Sequence, residues 1–438
     1  MAGPVTILTI ISIVNSHILV LLYKNKKLFR LDTASTIISH NYRIVQPEKQ
    51  KMPKFDYLNT ELDQLEKQNL RRKLTTIDSP QGPTITIDGD NLSLFASNNY
   101  LSLANDPAIK QAAHDAIDLF GYGSGASRLV SGTMKPHTDA ENALARFVHQ
   151  EASLLFPSGW MANEAVIKTI PLKGDLLILD KLNHASIIDA AMASDAEFRT
   201  FRRDSIDRLE KLLADTNYNR KFIITESVFS MDGDCADLKT LVRLRNKYDA
   251  YLIVDEAHAF GCMGPNGAGL ADELGLLNEV DIFVATLSKS FAAAGGIVAA
   301  PKSVIDYLIN RARPFIYTTA PSPVNAAVIL ASLGIIQSQP KLRQQLKANA
   351  NYLRDNLKRL GFDTGQSTTH IIPVIIGDEA KTLKIAKLLR DNGFYIPAIR
   401  PPTVAAGTSR LRISVQAGHS IEQLDKLISF LGSIKNII

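Results

Sequence analysis

The stretch Tyr251-Leu252-Ile253-Val254-Asp255-Glu256-Ala257-His258, read with Val284-Ala285-Thr286-Leu287-Ser288-Lys289-Ser290, decides the fold. Each opens as a short apolar run of the kind that forms a strand buried on both faces. The first run then delivers an Asp and a His, the second a hydroxyl and a Lys. Ligands of open α/β sheets sit at the carboxyl ends of the strands, where these side chains emerge. Alone, either stretch reads equally well as strand-end capping or a surface lysine. Together they supply an acid to hold a pyridinium nitrogen protonated, a neighbouring His and a lysine for a Schiff base. That set is the protein's share of pyridoxal 5′-phosphate (PLP) chemistry.

Working outward, apolar runs recur at 152–156, 175–179, 222–225, 282–285 and 296–300, separated by helix-length segments such as 237–248. The rhythm predicts an α/β fold, a large mostly parallel sheet with helices on both faces, as a PLP-binding domain over residues 101–340. A helical stretch follows around 323–360. Beyond it, 371–376, 394–399 and 411–415 read as strands and 378–391 and 420–432 as helices, with Gly393 placed to stop the first of these. Residues 341–438 are therefore expected to form a smaller α+β C-terminal domain. The segment 52–100 reads as an amphipathic helix over 54–74, with Leu58, Leu62, Leu65 and Leu70 among charged neighbours. A hairpin of 84–87 and 92–95 around Asp88-Gly89-Asp90-Asn91 follows.

Composition excludes several classes. Hydrophobic residues make up 45% and charged residues 21%, as in an ordinary globular protein. Cys235 and Cys262 cannot build a disulfide framework, and no Cys/His cluster has zinc spacing, so no metal is expected and a reducing cytoplasm fits. The formal charge is +5, and residues 1–51 account for all of it: Lys24, Lys26, Lys27, Arg30, Arg43, Lys49 and Lys51 stand against Asp32 and Glu48. The rest of the chain is balanced, which argues against nucleic acid as a partner. The same extension holds an apolar run over 5–22, interrupted by Asn15, Ser16 and His17 and followed by its basic residues. As an anchor it would keep the remainder in the cytoplasm. The polar triplet is costly in lipid. The favoured reading is that the catalytic protein begins near Met52, with no membrane partner.

Further motifs lie along the body. Gly121-Tyr122-Gly123-Ser124-Gly125-Ala126-Ser127-Arg128, closing at Gly132, is a dense glycine loop. A dinucleotide fingerprint would need a strand before it, whereas 107–119 reads as helix. Ser158-Gly159-Trp160-Met161-Ala162-Asn163 follows a strand and opens a helix, so it reads either as a phosphate site or as a plain turn. In Asn183-His184-Ala185-Ser186 the histidine either caps a helix or stacks on a cofactor ring. Ser230 precedes Asp232-Gly233-Asp234, a turn rather than a metal cage.

This ordered set resembles the α-oxoamine synthases, PLP enzymes of the aspartate aminotransferase fold (fold type I). The resemblance runs from about residue 53 to the end. It is carried by Ser97-Asn98-Asn99-Tyr100-Leu101, the 121–132 loop, 158–163, 183–186, 226–234, 255–261 and 286–289. Ala398-Ile399-Arg400-Pro401-Pro402-Thr403 through Arg412 resembles the biotin-pathway branch, which joins L-alanine to a pimeloyl thioester. Ala292, Ala293 and Ala294 stand where glycines are frequent, and Trp160 where Phe or Tyr is usual. The resemblance implies that Lys289 binds PLP and moves the substrate Cα proton, that Asp255 faces the ring nitrogen and that His184 stacks on the ring and acts as an acid. Ser230 and His258 would lie near the phenolic oxygen, Gly159 and Trp160 would bound the cofactor, and Thr286 would bind phosphate. Asn98 and Arg412 would hold the amino acid carboxylate, and Arg71, Arg400 and Thr403 the acyl substrate. A homodimer is implied, with Tyr317-Thr318-Thr319 lending a phosphate contact to the other subunit. The rivals are a serine palmitoyltransferase, a generic aminotransferase and a non-catalytic subunit, the last disfavoured by Lys289.

Overall fold

Leu252 and Val254 pack into one apolar core and Ile253 into another. The same alternation runs through Phe222, Ile223 and Ile224 and through Phe283, Val284 and Ala285. A period of two with both sets buried is the mark of a sheet covered on both faces. The computed structural model describes residues 53–437 and, before them, the backbone of Thr9–Val14, His17–Lys24 and Lys27–Leu28. Residues 1–64 and 65–438 form two units.

In the first unit the described part of the apolar run is a strand pair, in register from Thr9↔Leu22 to Val14↔His17. Residues 5–8, 15 and 16 lie outside the described residues, as does Met52 and with it the expected start. Among the described residues, no helix is long and apolar enough to cross a membrane. The amphipathic helix is Tyr57–Lys67, shorter than expected. Asn69 takes the left-handed conformation (φ 58°) and Leu70 N–H reaches back to Leu65 O at 2.8 Å. That closure ends the helix.

In the second unit, seven strands make the central sheet, in the order Ala152–Phe156, Gly296–Ala300, Ile282–Thr286, Tyr251–Asp255, Lys221–Glu226, Leu176–Asp180 and Glu197–Phe201. Every pairing is parallel except the two made by Gly296–Ala300. The α/β class expected from the sequence holds. Glu197–Phe201 was not anticipated, because an edge strand carrying Glu197 and Arg199 lacks the apolar run that marks its neighbours.

The expected strand at 394–399 is two strands. Phe394–Tyr395 pairs parallel to Asp90–Leu94, while Ala398–Ile399 pairs antiparallel to Ser409–Ser414. Pro397, with no N–H to give, sits between them. The hairpin Thr84–Ile87 and Asp90–Leu94 turns on Asp88 and Gly89 alone, both at positive φ (55° and 88°), so its second strand starts two residues earlier than expected. The C-terminal sheet also pairs Ile371–Gly377 with Ser409–Ser414, which points Arg412 toward the large sheet's loops.

Candidate active site

Glu226, Asp255 and Thr286 end adjacent strands with the same parity as Ile224, Ile253 and Val284, which fill one core. All three therefore emerge on that face of the sheet. The helix Gly159–Thr169 covers it, placing Ala162, Ala165 and Val166 in the same core. Ser158 starts this helix by accepting Met161 N–H at 3.2 Å. Asn163, from the second turn, donates Nδ2–H to Asp255 Oδ2 at 2.7 Å and to Ser186 Oγ at 3.0 Å. Ala257 N–H donates to Asp255 Oδ1 at 2.9 Å. Both oxygens of a buried Asp255 are thus fixed. Ser186 N–H donates to His184 Nδ1 at 3.2 Å, so the proton of the neutral ring sits on Nε2. The Trp160 ring meets His184 edge-on, at 5.9 Å between centroids.

Lys289 follows the strand Ile282–Thr286. Its Nζ lies 2.8 Å from His258 Nε2, and His258 Nδ1 lies 2.7 Å from the Tyr100 oxygen. Tyr100 O–H donates to Asn98 Oδ1 at 3.0 Å, and Arg412 Nη1–H donates to the same oxygen at 3.3 Å. With the phenol proton directed at Asn98, His258 Nδ1–H donates to the phenol and Nε2 accepts from the lysine. Arg412 is steadied by Ser414 Oγ at 2.7 Å and Ser230 O at 2.5 Å. One unbroken row therefore runs from amine to guanidinium. Burial drives His258 well below the usual imidazole range and Tyr100 up to about 12. Lys289 falls to about 8 through burial, against the opposing pull of Asp255 and Glu226. The row is neutral imidazole, intact phenol and an amine poised to lose its proton.

The other expected residues divide. Thr286 Oγ1 lies 2.8 Å from Ser288 Oγ and walls the helix start at Gly159. Ser230 enters the row through its carbonyl. Arg71 pairs with Glu66 at 3.5 Å; it is Arg72 that reaches Thr403 Oγ1, at 3.4 Å, while Arg400 donates to Asn69 O. Thr318 is half-buried and Thr319 bridges to Ser127 of the glycine loop, so neither joins the Lys289 row. Tyr100, Asn163, Ser186, Glu226 and Arg72 were not singled out from the sequence. Tyr100, Asn163, Ser186 and Glu226 lie inside motifs quoted above, and only the fold shows what each touches.

The profile of the family described as Aminotransferase class I and II matches residues 90–431. The chain belongs to this family. Within it, the chain is 43% identical over 379 residues to the 8-amino-7-oxononanoate synthase of Anaeromyxobacter dehalogenans, covering 86% of this chain and 95% of that one. It is 42% identical to the enzyme of the same name from Thermoanaerobacter pseudethanolicus, covering 87% and 98%. Among solved structures it is similar to serine palmitoyltransferase of Sphingomonas wittichii, at TM-score 0.83 and 32% identity, covering 88% and 98%. An 8-amino-7-oxononanoate synthase of Francisella tularensis matches at TM-score 0.69 and 26% identity, covering 79% and 98%.

This member of the aminotransferase class I and II family is a PLP-dependent enzyme of fold type I. The cofactor suits the residues present: an amine near neutrality, a fixed buried carboxylate and a helix start beside two hydroxyls. A Cβ on Gly159 would lie 3.0 Å from Thr286 Cβ, so a side chain there presses on Thr286, which has to give way slightly. Gly159→Ala is expected to weaken PLP binding about tenfold with the fold retained, since mild overpacking costs ~1–3 kcal/mol. Equilibrium titration of the cofactor-free protein checks this.

Proposed function

We propose that this enzyme condenses L-alanine with a pimeloyl thioester, releasing carbon dioxide and the thiol carrier (coenzyme A or acyl carrier protein) to give 8-amino-7-oxononanoate. The observation that carries the proposal is the row from Lys289 to Arg412. It sets a proton acceptor and a carboxylate-binding fork on one hydrogen-bonded line, the two requirements for acting at the Cα of an amino acid. The names of the relatives at 42–43% identity support the choice of amino acid and acyl donor.

Bound PLP supplies the electron sink for the pair freed at Cα. Asp255, held by Asn163 and Ala257, keeps the ring nitrogen protonated. Gly159 and Trp160 would bound the cofactor and Thr286 would bind its phosphate, with Thr318 and Thr319 contributing across a homodimer. Arg412 and Asn98 orient the carboxylate, leaving the Cα–H toward Lys289. Lys289, as a free amine, takes that proton and later returns one. His184 presents Nε2–H to the thioester oxygen, and Ser230 and His258 border the phenolic oxygen. Arg72 with Thr403, and Arg400, line the acyl approach, with Arg71 beside them. The exposed Leu119, Tyr122, Leu129, Val130 and Tyr317 cluster about the glycine loop and support the homodimer. The location proposed is the cytoplasm.

The backbone likeness to serine palmitoyltransferase favours a second reading, in which serine and a long acyl thioester are used. Backbone likeness is insensitive to the side chains that choose substrates. Competition at equal thioester concentrations is expected to favour L-alanine over glycine and serine, and pimeloyl over acetyl, succinyl and palmitoyl donors, by at least about tenfold, the discrimination a few methylenes give. Faster turnover of serine with palmitoyl-CoA would establish the second reading instead.

A further inference from the structure

Glu226 is the register partner of Asp255 and emerges on the same face of the sheet, 2% exposed. Among the described residues its Oε1 meets no hydrogen-bond partner, and the donor facing its carboxyl is the backbone N–H of His184. Asp255 has two donors on its oxygens. Glu256, equally buried, receives Ser227 O–H at 2.5 Å, Leu270 N–H at 3.0 Å and Ala271 N–H at 2.8 Å. Glu226 has no such support for a charge. The charged groups around it are Asp255 on one flanking strand, Asp180 ending the other, and Lys289 beyond the next strand. Two carboxylates side by side in a dry site do not both ionise, and the better-solvated partner keeps the charge.

We propose that Glu226 is a positioning residue of this reaction, a carboxylic acid that keeps its proton at neutral pH so that Asp255 alone carries the negative charge of the pair. The inference rests on the reading of Asp255 as partner of the ring nitrogen. Burial, then Asp255, push Glu226 up to about 8, against the pull of Lys289. A neutral Glu226 gives the ring nitrogen one defined anion and leaves Lys289 free to shed its proton. An ionised Glu226 draws a proton onto Lys289 and so takes the base out of use.

The test is the pH dependence of thermal stability in the full-length, cofactor-loaded protein. A carboxyl whose folded pKa lies above its unfolded value contributes stability below the unfolded value, and loses it as pH rises through the folded value. Glutamine does not titrate. The melting temperature of Glu226→Gln relative to wild type is therefore expected to climb from about pH 5 to about pH 8 and then level off. An offset that stays flat across that window, with wild type the more stable, overturns the inference, because it marks a carboxylate already ionised. Should the variant not fold, ¹³C spectra of wild-type glutamate carboxyls decide. Two are expected to titrate above about pH 6, since Glu256 is also raised, to about 7. None overturns the inference, and so does a single one that disappears in Glu256→Gln. Failure of the Asp255 reading would appear in the turnover of Asp255→Asn and leave this pH trace unchanged.

Discussion

Lys289→Ala is expected to give a folded, colourless protein whose turnover is at least about ten-thousandfold down, the upper range for loss of a positioned proton-transfer group. The expectation follows from position and charge. Lys289 Nζ sits 2.8 Å from His258 Nε2, in a site whose burial lowers its pKa to about 8. A lysine there is both a nucleophile toward an aldehyde and a base at neutral pH. Absorbance of the purified wild-type protein should show bound cofactor, and borohydride should fix it to the peptide containing Lys289. A label on any other lysine would sink the assignment. Methylamine supplied to Lys289→Ala should restore a measurable fraction of turnover, because the cavity left lies beside His258 rather than in the packed core. No rescue, with the fold intact by circular dichroism, would mean the amine acts elsewhere than at Cα.

Asp255→Asn should cost on the order of a hundredfold or more in turnover, the effect of removing one preorganised electrostatic partner. Shape is nearly preserved, so the deficit belongs to charge. The two donors that hold Asp255, Asn163 Nδ2–H and Ala257 N–H, both require acceptors. The amide can satisfy one and turns its own NH2 group against the other, which costs about 1–3 kcal/mol of stability. The variant should therefore melt lower yet still take up PLP through Lys289. Near-normal turnover would show that the ring nitrogen has a different partner.

How much of this was legible beforehand depends on which signal each residue carries. The strands at 251–255 and 282–286 are apolar on both faces and end in chemistry, so both their burial and their direction could be read. Glu197–Phe201, with polar residues along an edge, carries no such signal. The division at Pro397 could have been read, because a proline inside an apolar run breaks a ladder; the choice of two different sheets for the halves could not. Within the site, Lys289, Asp255 and His184 stand out as chemical groups. Tyr100 and Asn163 act by touching them, and touching is a property of the fold, not of spacing. Arg71 and Arg72 are adjacent and identical in type, so only the direction of the backbone at 69–72 decides that Arg72 faces Thr403.

The hairpin strand Asp90–Leu94 has its parallel neighbour in Phe394–Tyr395, and Gln416, 322 residues further on, reaches back to Leu94 O at 3.0 Å. A chain emerging from the ribosome thus makes this strand early and completes it only when Phe394–Tyr395 follows. Until Phe394–Tyr395 is released, one edge of the hairpin stays open, and an open edge is a template for pairing with other chains. Closing so long a loop is slow compared with local folding. Truncated or stalled chains should therefore aggregate through residues 84–94 even when the large sheet is already formed. Yield during synthesis then depends on how soon Phe394–Tyr395 follows the hairpin.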